Sequence, residues 1–202
     1  MKKFRYILLT LFALLVAISS LRADPRSAQL LKSLEQRVEQ MAGYEVQFTL
    51  RIEGREIAGY YRVRGDAYVM QMGEAAVFSD GRSRWEVDPS KREVVVDGVD
   101  PQSHNILQNP TRAFTFLDAD YTHEVHSEAA GQVTLILKPK TRSSISAVTL
   151  VLDTATVTPR LLVYEADGER LQISIVSFAA STAPIPAFEP SNYPDYELID
   201  FR

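Results

Sequence analysis

The chain has 202 residues, of which 46 % are hydrophobic and 24 % are charged, a balance typical of one folded domain rather than a disordered chain. Its formal net charge is −4 and it contains no cysteine. This composition excludes a disulfide framework, thiolate chemistry and lipid attachment to a cysteine.

The start of the chain has the pattern of a secretory signal peptide. A basic KKFR stretch precedes an apolar run from Tyr6 to Ile18, and Ala23 is a small residue before a cut at Asp24. The run is short for a membrane span. We therefore predict a signal peptide over residues 1–23. An uncleaved anchor and an earlier cut near Ser20 are the alternatives.

Removal of this segment changes the charge of the chain. Cleavage before Asp24 leaves 18 basic and 26 acidic residues, a net charge of −8. So acidic a surface argues against nucleic acid or anionic lipid surfaces as the main partner. We predict one periplasmic domain over residues 24–202.

One amphipathic helix is predicted at the start of that domain. Asp24 can cap it, and Pro25 suits its first turn. Apolar residues then recur every three or four positions, at Leu30, Leu31, Leu34, Val38 and Met41. Gly43 is the predicted end of the helix.

From Tyr44 the spacing of apolar residues changes to that of a strand. Apolar side chains alternate with polar ones from Tyr44 to Ile52, so one face is apolar and the other is wet. Further strands are predicted at 57–63, 67–72, 84–87, 93–96, 121–126, 133–138, 145–152, 161–165 and 170–178. Short turns separate most of these strands, which indicates an antiparallel meander that curls into a barrel or half-barrel.

Two segments interrupt or follow this meander. Residues 98–118 contain prolines at 101 and 110, and we predict a short helix or loop that lies across the sheet. Residues 183–202 are rich in proline and aromatic residues, and we expect them to wrap the sheet edge and shield it from pairing.

Residues that carry chemistry are scarce in this sequence. His123 and His126 are three apart in a predicted strand, so they cannot share a metal, and both are interpreted with His104 as surface histidines. No nucleophile elbow, phosphate loop, dinucleotide fingerprint or zinc-protease motif occurs, and no carboxylate pair stands out. We predict no enzyme, no catalytic residue, no metal and no cofactor.

Apolar strand faces raise the question of what they enclose. Side chains can fill a small barrel completely. Alternatively, the interior stays partly open and holds an apolar ligand. The pattern of apolar residues fits both interpretations.

Four motifs, in order along the chain, resemble the LolA-like lipoprotein carrier family. They are S-D-G at 79–81 with Trp85 and Asp88-Pro89, N-P-x-x-x-F at 109–114, L-K-P-K at 137–140, and the closing segment Tyr193–Arg202. Each motif is weak alone, whereas the ordered set behind a signal peptide is fairly specific.

The resemblance implies a fold and a function. The implied fold is mainly β with few helices, an incomplete antiparallel β-barrel (half-barrel) with a helical lid over an apolar cavity. Family members accept acylated lipoproteins from an ATP-driven inner-membrane transporter and ferry them across the periplasm. The implied partners are therefore acylated lipoproteins, this transporter and an outer-membrane receptor, with the protein itself a monomer and without a cofactor.

Candidate site residues follow from the implied fold. We call residues 101–117 the lid segment, with Ile106, Leu107, Phe114 and Phe116 as its predicted contacts. The predicted wall of the acyl-chain cavity comprises Phe48, Leu50, Tyr61, Val69, Phe78, Trp85, Leu135 and Leu150. Ordinary core packing is the alternative for each. This chain has no Arg-Pro at the place of the arginine that latches the lid in the family. Arg64 is the nearest match to that arginine, and a simple surface arginine is the alternative.

Two other functions fit the same sequence. A general periplasmic protein that binds lipid or glycolipid would share the fold. A structural or envelope-assembly protein would have a filled barrel.

Overall fold

A computed structural model describes residues 24–100, 110–112, 114 and 117–202. The predicted signal peptide and most of the lid segment lie outside these residues. None of the described helices is long and apolar enough to cross a membrane.

The first helix, α1, spans Pro25–Glu39. The Asp24 carboxylate accepts a hydrogen bond of 3.0 Å from the Arg26 N–H, which caps the helix as predicted. The apolar stripe is buried at Leu30, Leu31, Leu34 and Val38.

Gly43 does not end this helix, which stops at Glu39. A Cβ on Gly43 would lie 2.8 Å from the carbonyl oxygens of Val63 and Ser181. Glycine is therefore required here because three backbone segments approach closely, not because a helix ends.

Twelve strands make up most of the described chain. They are β1 (Tyr44–Ile52), β2 (Arg55–Arg64), β3 (Ala67–Met72), β4 (Ala75–Ser79), β5 (Ser83–Asp88), β6 (Glu93–Gly98), β7 (Tyr121–Ala129), β8 (Gln132–Pro139), β9 (Ile145–Asp153), β10 (Thr158–Ala166), β11 (Glu169–Ala180) and β12 (Glu197–Asp200). A 3₁₀ turn at Pro110–Arg112 and a short helix, α2 (Leu117–Asp120), lie between β6 and β7, and a second 3₁₀ turn spans Pro190–Asn192. The predicted strands are confirmed, with bounds that differ by a few residues.

All twelve strands form a single open sheet. Its order is β12-β6-β5-β4-β3-β2-β1-β11-β10-β9-β8-β7. Every pair of neighbours is antiparallel except β12 and β6. Because β12 and β7 are free edges, the sheet does not close, and the predicted incomplete barrel is confirmed.

The C-terminal strand β12 was not predicted. It pairs in parallel with β6, and the Glu197 N–H donates a 2.8 Å hydrogen bond to the Arg92 carbonyl. Four residues are too few to show a strand period in the sequence. The expectation that this segment covers the sheet edge is confirmed.

The two faces of the sheet have different covers. We call the face that packs on α1 the inner face, and the opposite one the outer face. Inner side chains from β1 to β4 and β7 to β11 form one buried cluster with the helix. A smaller cluster on the outer face contains Val87, Val94 and Val96, and the C-terminal segment packs on it through Phe188, Tyr193 and Tyr196.

Three hairpins are closed by a residue followed by glycine, both with positive φ. The pairs are Glu53-Gly54, Ala130-Gly131 and Asp167-Gly168. Positive φ at both central residues is the geometry of a type I′ turn, which matches the twist of the flanking strands.

Ala130 is the position where this geometry is least suited to its residue. Its φ is 51° and it is exposed. We expect Ala130→Gly to raise the free energy of unfolding by about 0.5–1 kcal/mol, since glycine adopts this conformation without steric cost. Urea unfolding measures the change.

The adjacent Ala129 is the matched control. It is also exposed but ends strand β7. Ala129→Gly should lower the free energy of unfolding by a similar amount, about 0.5–1 kcal/mol, through the backbone entropy of glycine. Changes of the same sign in the two variants would contradict the turn assignment.

Candidate functional site

Five of the eight predicted wall residues lie together on the inner face. Phe48, Leu50, Tyr61, Leu135 and Leu150 all belong to the inner cluster, and none is more than 6 % exposed. They come from β1 and β2 at the centre of the sheet and from β8 and β9 near its β7 edge.

The other three predicted wall residues are on the outer face, and their assignment was wrong. Val69 pairs with Phe78, and Phe78 pairs with Trp85, so the three share one face. Their neighbours Tyr68 and Met70 point into the inner cluster. Successive side chains of a strand point to opposite faces, so Val69 must point outward.

The C-terminal segment covers these outward residues. The Phe188 ring lies 5.7 Å from the Trp85 ring, nearly parallel to it, and 6.0 Å from the Phe78 ring. The Tyr193 ring also stacks on Phe188, with the two ring centroids 5.5 Å apart. Trp85 therefore belongs to an outer aromatic stack and not to a wall of the inner face.

The described part of the lid segment lies against the inner face. Phe114 is 2 % exposed, and its ring meets the Phe178 ring of β11 edge-on at 6.0 Å. The Tyr44 hydroxyl donates a hydrogen bond of 2.7 Å to the Pro110 carbonyl. Ile106, Leu107 and Phe116 lie outside the described residues.

Arg64, the predicted lid latch, lies at the end of β2, and its latch role stays a prediction because most of the lid segment lies outside the described residues. Its side chain is exposed at the end of β2, one residue after the inward-pointing Val63. Arg84 of β5 faces inward, pairs in register with Ser79 and forms an ion pair with Glu86. Only 18 % of the Arg84 side chain is exposed.

His123 is buried, which corrects its interpretation as a surface residue. Its Nδ1 lies 2.8 Å from the Ser27 hydroxyl, and its Nε2 lies 2.8 Å from a carboxylate oxygen of Asp118. The chain of contacts ties the start of α1 to β7 and to α2. His126 is exposed as predicted, and His104 lies outside the described residues.

This Ser27, His123 and Asp118 chain resembles a hydrolytic triad only in composition. Ser27 has no exposed surface, and its hydroxyl also approaches the Asp24 carbonyl at 2.8 Å. A nucleophile must reach a substrate, which a fully buried hydroxyl inside a helix cap cannot do. The three linked side chains therefore position α1 and α2 rather than a substrate.

The inner face carries hydroxyl groups but keeps them uncharged. Burial raises the pKa of the Tyr44, Tyr61 and Tyr164 hydroxyls, so each stays protonated at physiological pH. Away from the Arg84 and Glu86 ion pair, this surface of apolar and aromatic side chains suits an apolar ligand.

A depression on the outer face has a different character. It has a volume of about 600 Å³ and is lined by polar side chains, among them Gln47, Tyr60 and Gln71, as well as by apolar ones such as Ala58 and Val176. Glu45 and Arg62 form an ion pair of 2.6 Å within it. The described residues contain no cluster of side chains suited to a metal ion.

The centre of the inner face depends on one glycine. The Phe48 ring lies over Gly59 of β2, and a Cβ at Gly59 would be 2.6 Å from the ring. An aromatic ring over a strand glycine fills the space that the missing side chain leaves.

We expect Gly59→Ala to lower the free energy of unfolding by about 1–3 kcal/mol, because the added methyl displaces Phe48 and meets the Gln71 carbonyl at 2.7 Å. Thermal or urea unfolding measures this. Gly98→Ala is the control, since no atom lies within 4 Å of its added Cβ and its φ is not positive. Equal losses in both variants would show that the Phe48 contact is not the cause.

Together, the open sheet, the helix on its inner face and the partial lid define a β half-barrel with a covered apolar surface. The sequence profile of the family "Outer membrane lipoprotein carrier protein LolA" matches residues 70–189. The match runs from β3 into the C-terminal segment and covers more than half of the chain. The protein belongs to this family, which is a family of carriers rather than of enzymes.

Solved structures with the same fold support the architecture. A conserved protein from Thermus thermophilus matches with a TM-score of 0.56 at 10 % identity, over 86 % of this chain and 99 % of that one. MucB matches with a TM-score of 0.50 at 16 % identity, over 82 % of this chain. This chain spans 64 % of the MucB chain. A comparison with curated proteins finds no match.

Proposed function

We propose that this protein is a periplasmic carrier that binds the acyl chains of lipoproteins released from the inner membrane and delivers them to the outer membrane. The family match supports carriage of lipoproteins as its function. The observation that carries the proposal is that α1 and the lid segment each cover part of the inner face. A buried apolar sheet face is covered in part by a lid segment that joins it through Phe114 and Pro110.

The energy of acyl chains in water makes such a carrier necessary. At about 0.8 kcal/mol per methylene, the free energy of a sixteen-carbon chain is about 12 kcal/mol higher in water than in an apolar environment. A lipoprotein with two or three chains therefore cannot cross an aqueous compartment without shielding. The carrier must supply apolar surface and still release the chains at the end.

A lid that competes with the ligand meets both needs. In the free protein, Phe114 occupies part of the inner face and keeps it from water. Acyl chains that displace the lid segment gain this surface but lose the lid contacts, so binding is weaker than the full burial energy. Phe48, Leu50, Tyr61, Leu135 and Leu150 would form the wall that the chains contact.

The partners follow from this role. An ATP-driven inner-membrane transporter would load the protein, and an outer-membrane receptor would accept the cargo. The net charge of −8 without residues 1–23 keeps the carrier from adsorbing to anionic membrane surfaces. We propose that it acts as a monomer and without a cofactor.

Analysis of molecules that co-purify with the protein tests the cargo. We expect mass spectrometry of protein purified from the periplasm to detect acylated polypeptides, which an unrelated periplasmic protein purified in parallel lacks. Recovery of glycerophospholipids or glycolipids alone would identify the protein as a general lipid-binding protein instead. Recovery of no acylated molecule would favour a filled, structural half-barrel.

Competition between lid and ligand predicts an unusual effect of Phe114→Ala. The variant should lower the free energy of unfolding by about 3 kcal/mol, because a buried aromatic contact is lost. It should at the same time raise the affinity for a synthetic lipopeptide with three palmitoyl chains by roughly tenfold, because a looser lid is easier to displace. Phe114→Leu gives a milder variant with the same two signs.

Phe188→Ala is the matched control for this experiment. Phe188 is a half-buried aromatic residue that packs on Trp85 of the outer face. Its truncation should also lower stability but leave the affinity for the lipopeptide unchanged. An affinity that falls in Phe114→Ala, or rises equally in both variants, would rule out competition at the inner face.

A further inference from the structure

Tyr61 has a buried hydroxyl without a hydrogen-bond partner in the part of the chain that the structure describes. The residue is 2 % exposed and points into the inner cluster. Its ring lies 6.0 Å from the Phe48 ring and 6.1 Å from the Tyr44 ring. Buried hydroxyls nearly always have an acceptor, so an unmatched one at the centre of a binding surface requires an explanation.

Tyr44 is next to Tyr61 on the same face, and its hydroxyl is matched. The acceptor is the Pro110 carbonyl at 2.7 Å, which belongs to the lid segment. Phe114 lies four residues after Pro110 in the same segment, and its ring packs against Phe178. The lid segment thus brings to the inner face one amide carbonyl and one bulky apolar group.

Both tyrosines remain hydrogen-bond donors under physiological conditions. Burial raises the pKa of the Tyr61 hydroxyl well above its ordinary value, and the nearby Tyr44 and Tyr164 hydroxyls raise it further. Burial alone raises the pKa of Tyr44. The pair therefore offers two neutral donors within an apolar surface.

We propose that the Tyr44 and Tyr61 hydroxyls form a polar anchor that binds the carbonyl of an ester-linked or amide-linked fatty acyl chain. This inference rests on the proposed function, because it assumes that acyl chains displace the lid segment. The acyl carbonyl then takes the place of the Pro110 carbonyl on Tyr44, and Tyr61 gains the acceptor that it lacks. The hydrocarbon chain takes the place of Phe114.

The anchor selects a chemical class of ligand. An acyl chain presents a carbonyl directly beside hydrocarbon, which is the arrangement that the lid segment imitates. A plain hydrocarbon or an alkyl ether offers no carbonyl acceptor, so it would leave two buried hydroxyls unmatched. The acylated N-terminus of a polypeptide and a glycerophospholipid share the required carbonyl, and binding experiments can separate these two sources.

A matched pair of probes tests the carbonyl requirement. The first probe is a short-chain diacyl phosphatidylcholine below its critical micelle concentration, and the second is the dialkyl ether analogue with chains of equal length. We expect the wild-type protein to bind the diacyl probe about 25-fold more tightly in calorimetric titration, as two hydrogen bonds of about 1 kcal/mol each would give. Tyr61→Phe should reduce this preference to about fivefold, because Tyr44 still requires the carbonyl, and should leave the affinity for the ether probe unchanged.

Stability measurements on the free protein give a second readout. Tyr61→Phe should leave the urea midpoint unchanged or raise it, because the hydroxyl has no partner to lose. Tyr44→Phe should lower the midpoint, because it removes the bond to Pro110. Tyr60→Phe, which alters a tyrosine on the outer face of the same strand, is the control and should not change the preference between the probes.

The outcomes separate this inference from the proposed function. Equal affinities for both probes in the wild type, or a midpoint that falls in Tyr61→Phe as it does in Tyr44→Phe, would overturn the anchor while the carrier role stands. Failure of both probes and of a triacylated lipopeptide to bind would overturn the carrier role and the anchor with it. A loss of affinity in Tyr61→Phe for only the lipopeptide, or only the diacyl lipid, would support the anchor and identify the source of the carbonyl.

Discussion

The structure depends on the need to cover one apolar face of a wide sheet. Inner side chains of nine neighbouring strands, from β4 to β7 in the sheet order, are buried in one cluster with α1. At about 4.8 Å per strand these nine strands would span roughly 38 Å if the sheet were flat, whereas a helix is only about 10 Å wide. The sheet must therefore curl around α1, and other segments must cover the part of the inner face that the helix does not reach. Phe114 lies in that remaining place.

The helix that fixes this curl is itself held at its first turn by polar contacts. Asp24 caps α1 through one carboxylate oxygen and accepts the Val125 N–H of β7 at 3.0 Å through the other. Ser27 and His123 add a second connection between the same two elements. Because Asp118 of α2 completes that chain, the helix, an edge strand and the chain segment directly after the lid are joined at one point. A lid segment that moves would therefore move relative to an anchored end.

Local sequence patterns predicted the strands and turns well, whereas the faces depended on tertiary contacts. The alternation of β1 is clear because its outer face is wet, and its inward residues Phe48 and Leu50 were assigned correctly. Strands β3, β4 and β6 have apolar residues on both faces, since the C-terminal segment buries the outer one, and no alternation marks which side is inward. Strand β5 does alternate, but its apolar residues Trp85 and Val87 are on the outer face. For these reasons the prediction from sequence placed Val69, Phe78 and Trp85 on the wrong face of the sheet. Burial of His123 depends on Ser27, 96 residues earlier in the chain, which no local pattern can reveal.

In the proposed carrier, the chemistry of the inner face explains how one surface would be both closed in the free protein and available to a ligand. A lid made only of apolar side chains would leave the Tyr44 hydroxyl unmatched, and the Pro110 carbonyl prevents this. The lid contacts are nevertheless incomplete, because the neighbouring Tyr61 hydroxyl has no acceptor among the residues described. A closed state with one unmatched donor is less stable than a fully matched one, which lowers the free energy that a ligand must supply to displace the lid. The unmatched Tyr61 hydroxyl, which weakens closure of the lid segment, would therefore favour binding of the ligand. After the ligand leaves, the lid segment would again cover the inner face and restore most of its contacts.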